Sequence, residues 1–442
     1  VASARAAFDG GKWSRLGGAR RTRLMFKLAD LLWANLDALA ALEAKDNGKA
    51  ISSVRAEIAQ GIGELEFFAG AATKIQGRTN EAPFGFLNYS LREPLGVCGL
   101  IVPWNYPLML TLRKLAPALA AGNACVIKPA SNTPLSALVL GELAGEAGFP
   151  EGAVNVVTGG GSTVGAVLAR HPMVDKVSFT GSTETGRRVA ESAGRSLSRV
   201  TLELGGKSAQ VVFPDADLEA AANGIIAGVF AATGQTCMAG SRLVVHADVH
   251  DELVRLVSER ARTIKLGNPF DEATEMGPVA NRPQYEKELG FLQVARQEGA
   301  QVAAGGEAAG ELGGYFVRPT VLTGVDPSMT VVREEVFGPV LAAYTFTEED
   351  EAVRLANDTR FGLAASVWTN DVRRAHRVAN RIKAGTVWIN AYRVVAPNVP
   401  FGGYGDSGVG RENGLDAVKE YTEVKSIWIE LSGATRDPFQ LG

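Results

Sequence analysis

The sequence has 442 residues, which is long for a single hydrophobic core and predicts two or three domains. Hydrophobic residues make up 46% and charged residues 21% of the chain, a balance that is typical of globular proteins and excludes a disordered one. The net charge of −3 excludes the basic surface of nucleic-acid-binding proteins, and no apolar run is long enough to predict a membrane span.

The first predicted elements are helices within residues 20–75, where apolar residues recur at about 3.6-residue spacing. Residues 84–91 alternate like strands. From residue 96, short apolar strands alternate with helices. The predicted strands are GVCGLIVPW, NACVIK, VNVVTG, KVSFT and TLELGG, and the helices run from Pro107 to about Ala121, over residues 134–147 and through TGRRVAESAG. This alternation predicts a parallel, doubly wound sheet.

A second α/β series begins near residue 207. It contains the strand SAQVVF, a helix over residues 216–232, the strand RLVVH and a helix over residues 248–265, and similar units continue to about residue 395. The last apolar strand, TEVKSIWIEL, follows the glycine-rich segment FGGYGDSGVG. We therefore expect this strand to pair away from the second core.

Two glycine-rich loops are candidates for binding a phosphate. GSTETG (residues 181–186) follows the strand KVSFT and opens a helix, where free backbone N–H groups and the helix dipole attract an anion. GGGSTVG (residues 159–165) also follows a strand. Either loop, taken alone, is also compatible with an ordinary turn.

Three cysteines are too few, and odd in number, for a disulfide framework. Cys98 and Cys125 lie in apolar strands and are predicted to be buried. Cys237 lies in the polar, glycine-rich segment GQTCMAG, where a partly exposed loop at a helix end is expected to favour the thiolate. Taken by itself, Cys237 would be better interpreted as an inert thiol.

Two further polar residues suit the same chemistry as Cys237. Glu203 ends the strand TLELGG, and Asn105 follows another strand within PWNYP. A thiolate, a carboxylate base and a side-chain amide donor are the groups that form and hydrolyse an acyl-enzyme. The sequence therefore predicts acyl chemistry on Cys237.

These motifs together resemble the aldehyde dehydrogenase superfamily, in its NAD(P)-dependent, non-acylating form. The matching segments cover essentially the whole chain in the family's order, and about the first forty residues of the family pattern are absent. They are PWNYP (103–107), IKPAS (127–131), FTGSTETG (179–186), LELGGK (202–207), GQTC (234–237), EEVFGP (334–339) and PFGG (400–403).

The resemblance implies an α/β fold of two doubly wound domains and a small β oligomerisation element. The dinucleotide-binding domain would comprise residues 1–75 and 95–205, the catalytic domain 206–418, and the oligomerisation element 76–94 and 419–442. The protein would be a homodimer or homotetramer in the cytoplasm. Its partner would be a small aldehyde, with no nucleic acid, membrane or metal.

The resemblance also implies the catalytic roles. Cys237 would attack an aldehyde, and the Asn105 amide and the Cys237 N–H would hold the oxyanion. The covalent thiohemiacetal would pass hydride to the nicotinamide, and Glu203 would activate the water that hydrolyses the thioester. The product would be a carboxylic acid.

A set of residues is implied to bind NAD or NADP. Lys128 would bind the adenosine ribose, Ser182 the pyrophosphate, Glu335 the nicotinamide ribose and Phe337 the nicotinamide. Without the motifs, Lys128 and Glu335 would be interpreted as surface charges. The full set is Trp104, Lys128, Ser131, Gly181, Ser182, Gly186, Leu204, Glu335 and Phe337.

Ser131 stands where NAD-preferring members often carry Glu, whose carboxylate repels a 2′-phosphate. Serine removes that repulsion, so NADP+ should at least be tolerated. The alternative is that Ser131 changes little because NAD+ keeps its other contacts.

A substrate tunnel is implied between Cys237 and solvent, lined by Tyr106, Leu110, Arg113, Thr236, Met238, Val395 and Phe401. Arg113 stands where many members carry an aromatic residue, and members that oxidise succinate semialdehyde carry Arg there to hold the substrate carboxylate. Those members usually have a second Arg where this chain has Ala231. Arg113 is therefore either a carboxylate-binding residue or a helix-surface arginine, and the substrate either a semialdehyde or one of a broad range of aldehydes.

Two other functions share this fold. A CoA-acylating aldehyde dehydrogenase typically lacks the carboxylate that activates the deacylating water, so Glu203 argues against it. A non-catalytic structural relative would tend to lose the nucleophile or the cofactor contacts. The presence of Asn105, Lys128, Glu203 and Cys237 together argues against that second alternative.

Overall fold

The computed structural model describes residues 1–433 and 439. Its helices are α1 (Ala2–Asp9), α2 (Gly18–Ala34), α3 (Leu36–Asn47), α4 (Ile51–Ala71), α5 (Pro107–Ala121), α6 (Leu135–Ala147), α7 (Ala166–Ala169), α8 (Thr183–Gly194), α9 (Leu218–Val229), α10 (His250–Thr263), α11 (Arg282–Gln297), α12 (Thr330–Arg333), α13 (Glu349–Asn357), α14 (Val372–Arg381) and α15 (Asp416–Lys419).

The strands are β1 (Arg78–Asn80), β2 (Phe86–Pro94), β3 (Val97–Ile101), β4 (Ala124–Lys128), β5 (Val154–Val156), β6 (Lys176–Thr180), β7 (Arg199–Glu203), β8 (Ala209–Val212), β9 (Arg242–His246), β10 (Gln301–Ala304), β11 (Thr320–Thr323), β12 (Val340–Phe346), β13 (Phe361–Gly362), β14 (Ala364–Trp368), β15 (Thr386–Ile389), β16 (Tyr404–Gly405), β17 (Gly408–Val409) and β18 (Thr422–Glu430).

The first sheet has six strands in the order β17-β7-β6-β3-β4-β5. All neighbours are parallel except β17 and β7. Every residue of β3, β4 and β6 is buried, as expected for a parallel sheet covered by helices on both faces. The predicted strand–helix alternation from residue 96 is confirmed.

Helix α5 shows how the sequence sets the limits of an element. Pro107 occupies the first turn, where its missing N–H has no intrahelical partner, and Gly122 ends the helix in the left-handed conformation at φ 99°. Every residue of the helix is buried, because it packs against α4 on one side and the sheet on the other. Arg113, which lies on this helix, is therefore surrounded by protein rather than by solvent.

The second sheet has seven strands in the order β10-β11-β12-β9-β8-β14-β15. Its neighbours are parallel except β10 and β11. Separate apolar clusters fill the two faces of this sheet. The predicted second α/β series is confirmed.

The third sheet is antiparallel, in the order β1-β2-β18, and lies outside both parallel sheets. Strand β18 pairs with β2 along its whole length, from Thr422 opposite Pro94 to Glu430 opposite Phe86. The prediction that the last apolar strand pairs away from the second core is confirmed. Of the segment 419–442 assigned to this element, residues 434–438 and 440–442 lie outside the described residues.

The structure departs from the predicted domain limits at one place. Strand β17 belongs to the segment 206–418, yet Gly408 pairs with Glu203 in the first sheet. Helix α15 of the same segment packs against α5. A returning loop thus crosses from the second sheet to the first, and the remaining limits stay predictions.

Within the described part of the chain, no helix combines the length and the hydrophobicity needed to cross a membrane.

Candidate active site

Three neighbouring strands deliver polar groups to one edge of the first sheet. In the order β7-β6-β3 they end at Glu203, Thr180 and Ile101, and PWNYP follows the last of them. Carboxyl ends of parallel strands meet at the same edge, which is where ligands bind in open α/β sheets. The topology therefore brings Asn105 and Glu203 to one place although 98 positions separate them in sequence.

The loop that carries Cys237 comes from the second domain, between α9 and β9. Ala232, Thr233 and Gly234 all have positive φ, 54°, 57° and 67°, so the chain reverses sharply just before the cysteine. A Cβ on Gly234 would overlap the Gly338 carbonyl group, so only glycine lets the GQTC and EEVFGP segments touch. The turn fixes Cys237 at the mouth of the first sheet.

A second glycine brings the two domains together at the cysteine. A Cβ on Gly206 would overlap the Cys237 carbonyl oxygen. The Gly206 N–H donates to the Glu335 carboxylate at 2.9 Å, so the same backbone position also anchors Glu335. The LELGGK, GQTC and EEVFGP segments therefore meet at one point.

Asn105 is tied directly to the cysteine loop. Its side chain is 5% exposed, and Nδ2 donates to the Gln235 carbonyl at 2.9 Å. The Gln235 side chain in turn accepts from the Ala280 N–H at 3.0 Å. The amide is consequently held beside Cys237, with one N–H left over for another acceptor.

Cys237 is half-buried, and its surroundings disfavour the thiolate. Burial, and then the carboxylates of Glu203 and Glu335, raise the pKa of the thiol to about 12, while Arg113 and the Met238 backbone N–H lower it. The expectation that this loop favours the thiolate is therefore wrong for the protein alone. The two acidic neighbours and partial burial raise the pKa of the Cys237 thiol by more than the nearby helix end can lower it.

Glu203 is a buried carboxylate without full hydrogen bonding. Its Oε2 has no hydrogen-bond partner among the described residues. Burial and then the Glu412 carboxylate raise the pKa of Glu203 well above its usual range, against the lowering effects of Lys114, Arg113 and Arg411. Such a group can bind a water molecule and is a stronger base than an exposed carboxylate once it is deprotonated.

Two cavities meet at Cys237. The first contains all seven predicted tunnel residues, together with Glu57, Gln60, Met109, Thr180, Glu203, Arg393 and Glu412. The second lies on the other side of the cysteine. It is lined by Pro103, Trp104, Asn105, Thr180, Gly181, Ser182, Leu204, Gly205, Gln284, Lys287, Glu335 and Phe337. The open spaces measure about 600 Å³ and about 620 Å³, counting the parts that open to solvent.

The second cavity has the form of a cofactor cleft. The Trp104 and Phe337 rings meet edge to face at 5.4 Å, and Ser182 caps α8 by accepting from the Thr185 N–H. Gly186 allows α8 to approach, because a Cβ there would overlap the Leu204 side chain. The start of α8 therefore faces the cleft with free N–H groups, which suits a phosphate.

Lys128 and Ser131 lie apart from this cleft, beside the other glycine-rich loop. Lys128 is 4% exposed, donates to the Pro129 carbonyl at 2.8 Å, and its carbon chain reaches Gly165. Burial lowers the pKa of this ammonium. Ser131 is exposed and donates to the Gly159 carbonyl at 2.9 Å. A ligand that contacts the cleft residues and also Lys128 and Ser131 would have to be extended, as a dinucleotide is.

Arg113 lies in the tunnel wall but already has a partner. It is 3% exposed, and Nη2 lies 2.7 Å from the Glu64 carboxylate, which also accepts from Nε at 3.1 Å. Burial opposes the guanidinium charge, but Glu64 more than offsets it and raises the pKa of Arg113. The alternative of a helix-surface arginine is wrong. The carboxylate-binding role is also disfavoured, because Glu64 occupies the fork that such a substrate would need.

Several lining residues had no signal in the sequence. Glu57 and Gln60 lie on α4, more than 40 residues before the first motif, and Gln284 and Lys287 lie on α11. Arg393 lies between β15 and PFGG, in a segment that shows no periodicity. The one sequence signal that could have suggested Arg393 is its position in the loop before PFGG, two residues from the predicted tunnel residue Val395.

Comparison with known proteins agrees with this site. The sequence model of the aldehyde dehydrogenase family matches residues 1–427. An aldehyde dehydrogenase of Emericella nidulans is 46% identical over 435 residues, 98% of this chain and 87% of that protein. A betaine aldehyde dehydrogenase of Mesorhizobium japonicum is 47% identical over 433 residues, 97% of this chain and 88% of that protein.

Solved structures show the same fold. The NAD+ complex of an aldehyde dehydrogenase from Bacillus cereus superposes with a TM-score of 0.95 at 46% identity, covering 97% of this chain and 87% of that one. The chain therefore belongs to the aldehyde dehydrogenase family. This membership confirms the predicted fold and the predicted enzyme class, an oxidoreductase.

Proposed function

We propose that the protein oxidises an aldehyde to a carboxylic acid through a covalent thiohemiacetal on Cys237. One observation carries the proposal: Cys237 lies at the junction of the two cavities. An aldehyde entering by the tunnel would reach the sulfur from one cavity, and the residues of the cleft would hold a cofactor in the other. Attack by sulfur on the carbonyl carbon forms the thiohemiacetal.

Asn105 and the Cys237 backbone N–H hold the oxyanion in this proposal. The hydrogen bond from Asn105 to the Gln235 carbonyl fixes the amide two residues from Cys237, which leaves its other N–H free to donate. Such preorganised donors stabilise the charge that develops in the transition state, each typically by roughly 10²–10³-fold in rate.

Glu203 activates the hydrolytic water. Its unpartnered Oε2 is a suitable acceptor for a water O–H, and its raised pKa makes it a stronger base than an exposed carboxylate. Hydrolysis of the thioester then releases the acid and restores the thiol. A CoA-acylating enzyme would have no use for this group.

The cofactor that we propose is NAD+, with NADP+ tolerated. The residues that would hold it are Lys128 for the adenosine ribose, Gly181 and Ser182 for the pyrophosphate, and Glu335 for the nicotinamide ribose. Trp104, Leu204 and Phe337 would enclose the ring. A nicotinamide held by these residues would supply the hydride acceptor for the oxidation and a positive charge beside the Cys237 thiol.

The experiment that tests this function is the formation of NADH and carboxylic acid from a panel of aldehydes, with and without CoA. We expect equal amounts of NADH and free acid in the absence of CoA. An acyl-CoA product would replace the proposal by the acylating reaction, and a lack of NADH with every aldehyde would support the non-catalytic alternative.

We also propose that the antiparallel sheet mediates formation of a homodimer or homotetramer. Val424, Trp428 and Leu431 on β18 and just after it are 58%, 57% and 62% exposed, and Phe86 on β2 is 45% exposed. An apolar surface of this kind on a three-stranded sheet is typical of an interface. Light scattering measures the mass of the assembly, and a monomer would contradict the proposal.

We expect a cytoplasmic location, because all three cysteines are free thiols.

A further inference from the structure

Three of the charged side chains that line the tunnel are paired with oppositely charged residues outside its lining. Arg113 pairs with Glu64, Glu412 accepts from Lys114, and Glu57 accepts from Lys49. These pairs contribute no net charge to the cavity. Glu203 is the remaining acid, and its raised pKa favours the neutral form.

Arg393 is the charged residue of the tunnel lining that takes part in none of these ion pairs and carries a positive charge. Its Nη2 donates to the Tyr106 hydroxyl at 2.8 Å and its Nη1 to the Ala227 carbonyl at 3.1 Å. Both acceptors are neutral, and no carboxylate within residues 1–433 and 439 forms an ion pair with it. Burial raises the pKa of Glu57, while Lys49, its direct ion-pair partner, and then Arg393 lower it, so Arg393 acts on this acid only at a longer range.

The backbone at Arg393 has an unusual conformation. The residue has φ 61°, in the left-handed region that costs a non-glycine residue energy, and follows Asn390 at φ 50°. Arg393 is half-buried and lines the tunnel, as does Val395. Three of its five N–H donors remain for a ligand, which is enough for a bidentate bond to a carboxylate.

The two aromatic rings of the tunnel each already lie close to a cation of the protein, which disfavours a second cation beside them. A quaternary ammonium is held by the faces of aromatic rings. The tunnel has two aromatic residues, and each already has a cation of the protein over its ring. Lys49 Nζ lies 4.0 Å from the Tyr106 centroid, and Arg113 Cζ lies 5.7 Å from the Phe401 centroid.

We propose that Arg393 selects aldehydes whose far end carries a carboxylate and that it repels cationic aldehydes. This inference rests on the proposed aldehyde oxidation and adds the substrate class to it. A betaine aldehyde, the substrate named for several relatives, would be a poor substrate here, although 45–47% of the sequence is shared with those relatives.

The test compares substrates that differ in charge but hardly in shape. The first pair is succinate semialdehyde and 4-methylpentanal, an anion and a neutral near-isostere. The second pair is betaine aldehyde and 3,3-dimethylbutanal, a cation and its neutral isostere. The measurement is kcat/KM for each substrate with saturating NAD+, in wild type, Arg393→Gln and Arg393→Lys. Arg373→Gln, which removes an exposed arginine of α14 outside the tunnel, is the matched control.

We expect wild type to prefer the anion over its isostere by about 10-fold to 100-fold, the range of a hydrogen-bonded charge pair. The preference should disappear in Arg393→Gln, persist in part in Arg393→Lys and in full in Arg373→Gln, and weaken with added salt. In Arg393→Gln, betaine aldehyde should also improve relative to 3,3-dimethylbutanal.

Equal efficiency for anion and isostere in wild type, or an unchanged preference in Arg393→Gln, would overturn the inference. If Arg393→Gln fails to fold, the wild-type charge series and Arg393→Lys still decide the question. The proposed function fails by a different result, namely that none of the four aldehydes yields NADH.

Discussion

The side-chain amide of Asn105 donates to the backbone carbonyl of Gln235 at 2.9 Å, across the boundary between the two domains. The bond fixes the donor relative to Cys237 before any substrate arrives. Preorganisation of this kind is what makes an oxyanion donor effective, since no reorganisation is needed during the reaction.

Replacing Asn105 with Ala should therefore lower kcat/KM by roughly 10²–10³-fold, through loss of one oxyanion donor. The measurement is steady-state NADH formation, with NADH binding followed in parallel to show that the cleft is intact. Asn35→Ala, at the end of α2, serves as the control and should have wild-type activity. A loss below about threefold in Asn105→Ala would exclude the amide from the oxyanion site.

Cys237→Ser should lower turnover by at least about 10³-fold, because a hydroxyl without a dedicated base is a poor nucleophile. Cofactor affinity should be nearly unchanged, which titration of NADH fluorescence will show. Cys125→Ala removes a buried thiol of β4 and should retain activity. Substantial turnover by Cys237→Ser would remove the proposed covalent mechanism.

Glu203→Gln should slow hydrolysis of the thioester by roughly 10²–10⁴-fold and affect hydride transfer less. A burst of NADH, equal to the number of active sites, should then precede a slow steady state. If the burst rate and the steady-state rate fall by the same factor, Glu203 acts before the thioester forms.

The pH profile follows from the raised pKa of Glu203. As a base, the carboxylate works only when deprotonated, so a hydrolysis-limited kcat should rise as pH increases through that raised value. An exposed carboxylate would instead have completed its ionisation in the acid range. Glu203→Gln should lose this rise, and a wild-type rise that is already complete in the acid range, as for an exposed carboxylate, would contradict the assignment.

Removing Glu64 should destabilise the protein through Arg113. Glu64 is fully buried, so Glu64→Gln leaves a buried guanidinium without its counter-charge, at a cost of about 3–5 kcal/mol. Thermal or urea unfolding measures the change. The double variant Glu64→Leu with Arg113→Met should recover much of the loss, because both charges are removed. Equal destabilisation of the single and double variants would show that lost packing, and not the broken ion pair, causes the loss of stability.

Ser131→Glu should select against NADP+ by placing a carboxylate near the 2′-phosphate. At this exposed site the repulsion is on the order of 1 kcal/mol, so the ratio of NADP+ to NAD+ efficiency should fall several-fold. Asn132→Glu, at the next position along the chain and also exposed, is the control. An unchanged ratio in Ser131→Glu would mean that this side chain does not face the 2′ position.

The order of strands and helices was predictable from the sequence, because periodicity and capping residues act within a few positions. The buried strands KVSFT and ACVIK and the limits of α5 at Pro107 and Gly122 follow from such local rules. The same holds for the candidate nucleophile, base and amide, since each belongs to a short motif at the end of an element.

Only the tertiary structure determines which charged side chains of the tunnel have an ion-pair partner. Arg113 and Glu64 are 49 positions apart, and Arg393 and Tyr106 are 287 apart, so no local pattern links them. The sequence singles out Arg113 because it lies on the helix that follows PWNYP, at an implied tunnel position, whereas the fold neutralises it with Glu64 and, among the described residues, gives Arg393 no ion pair. Whether a charged side chain can bind a substrate depends on which groups surround it, and that is fixed only when distant segments pack together.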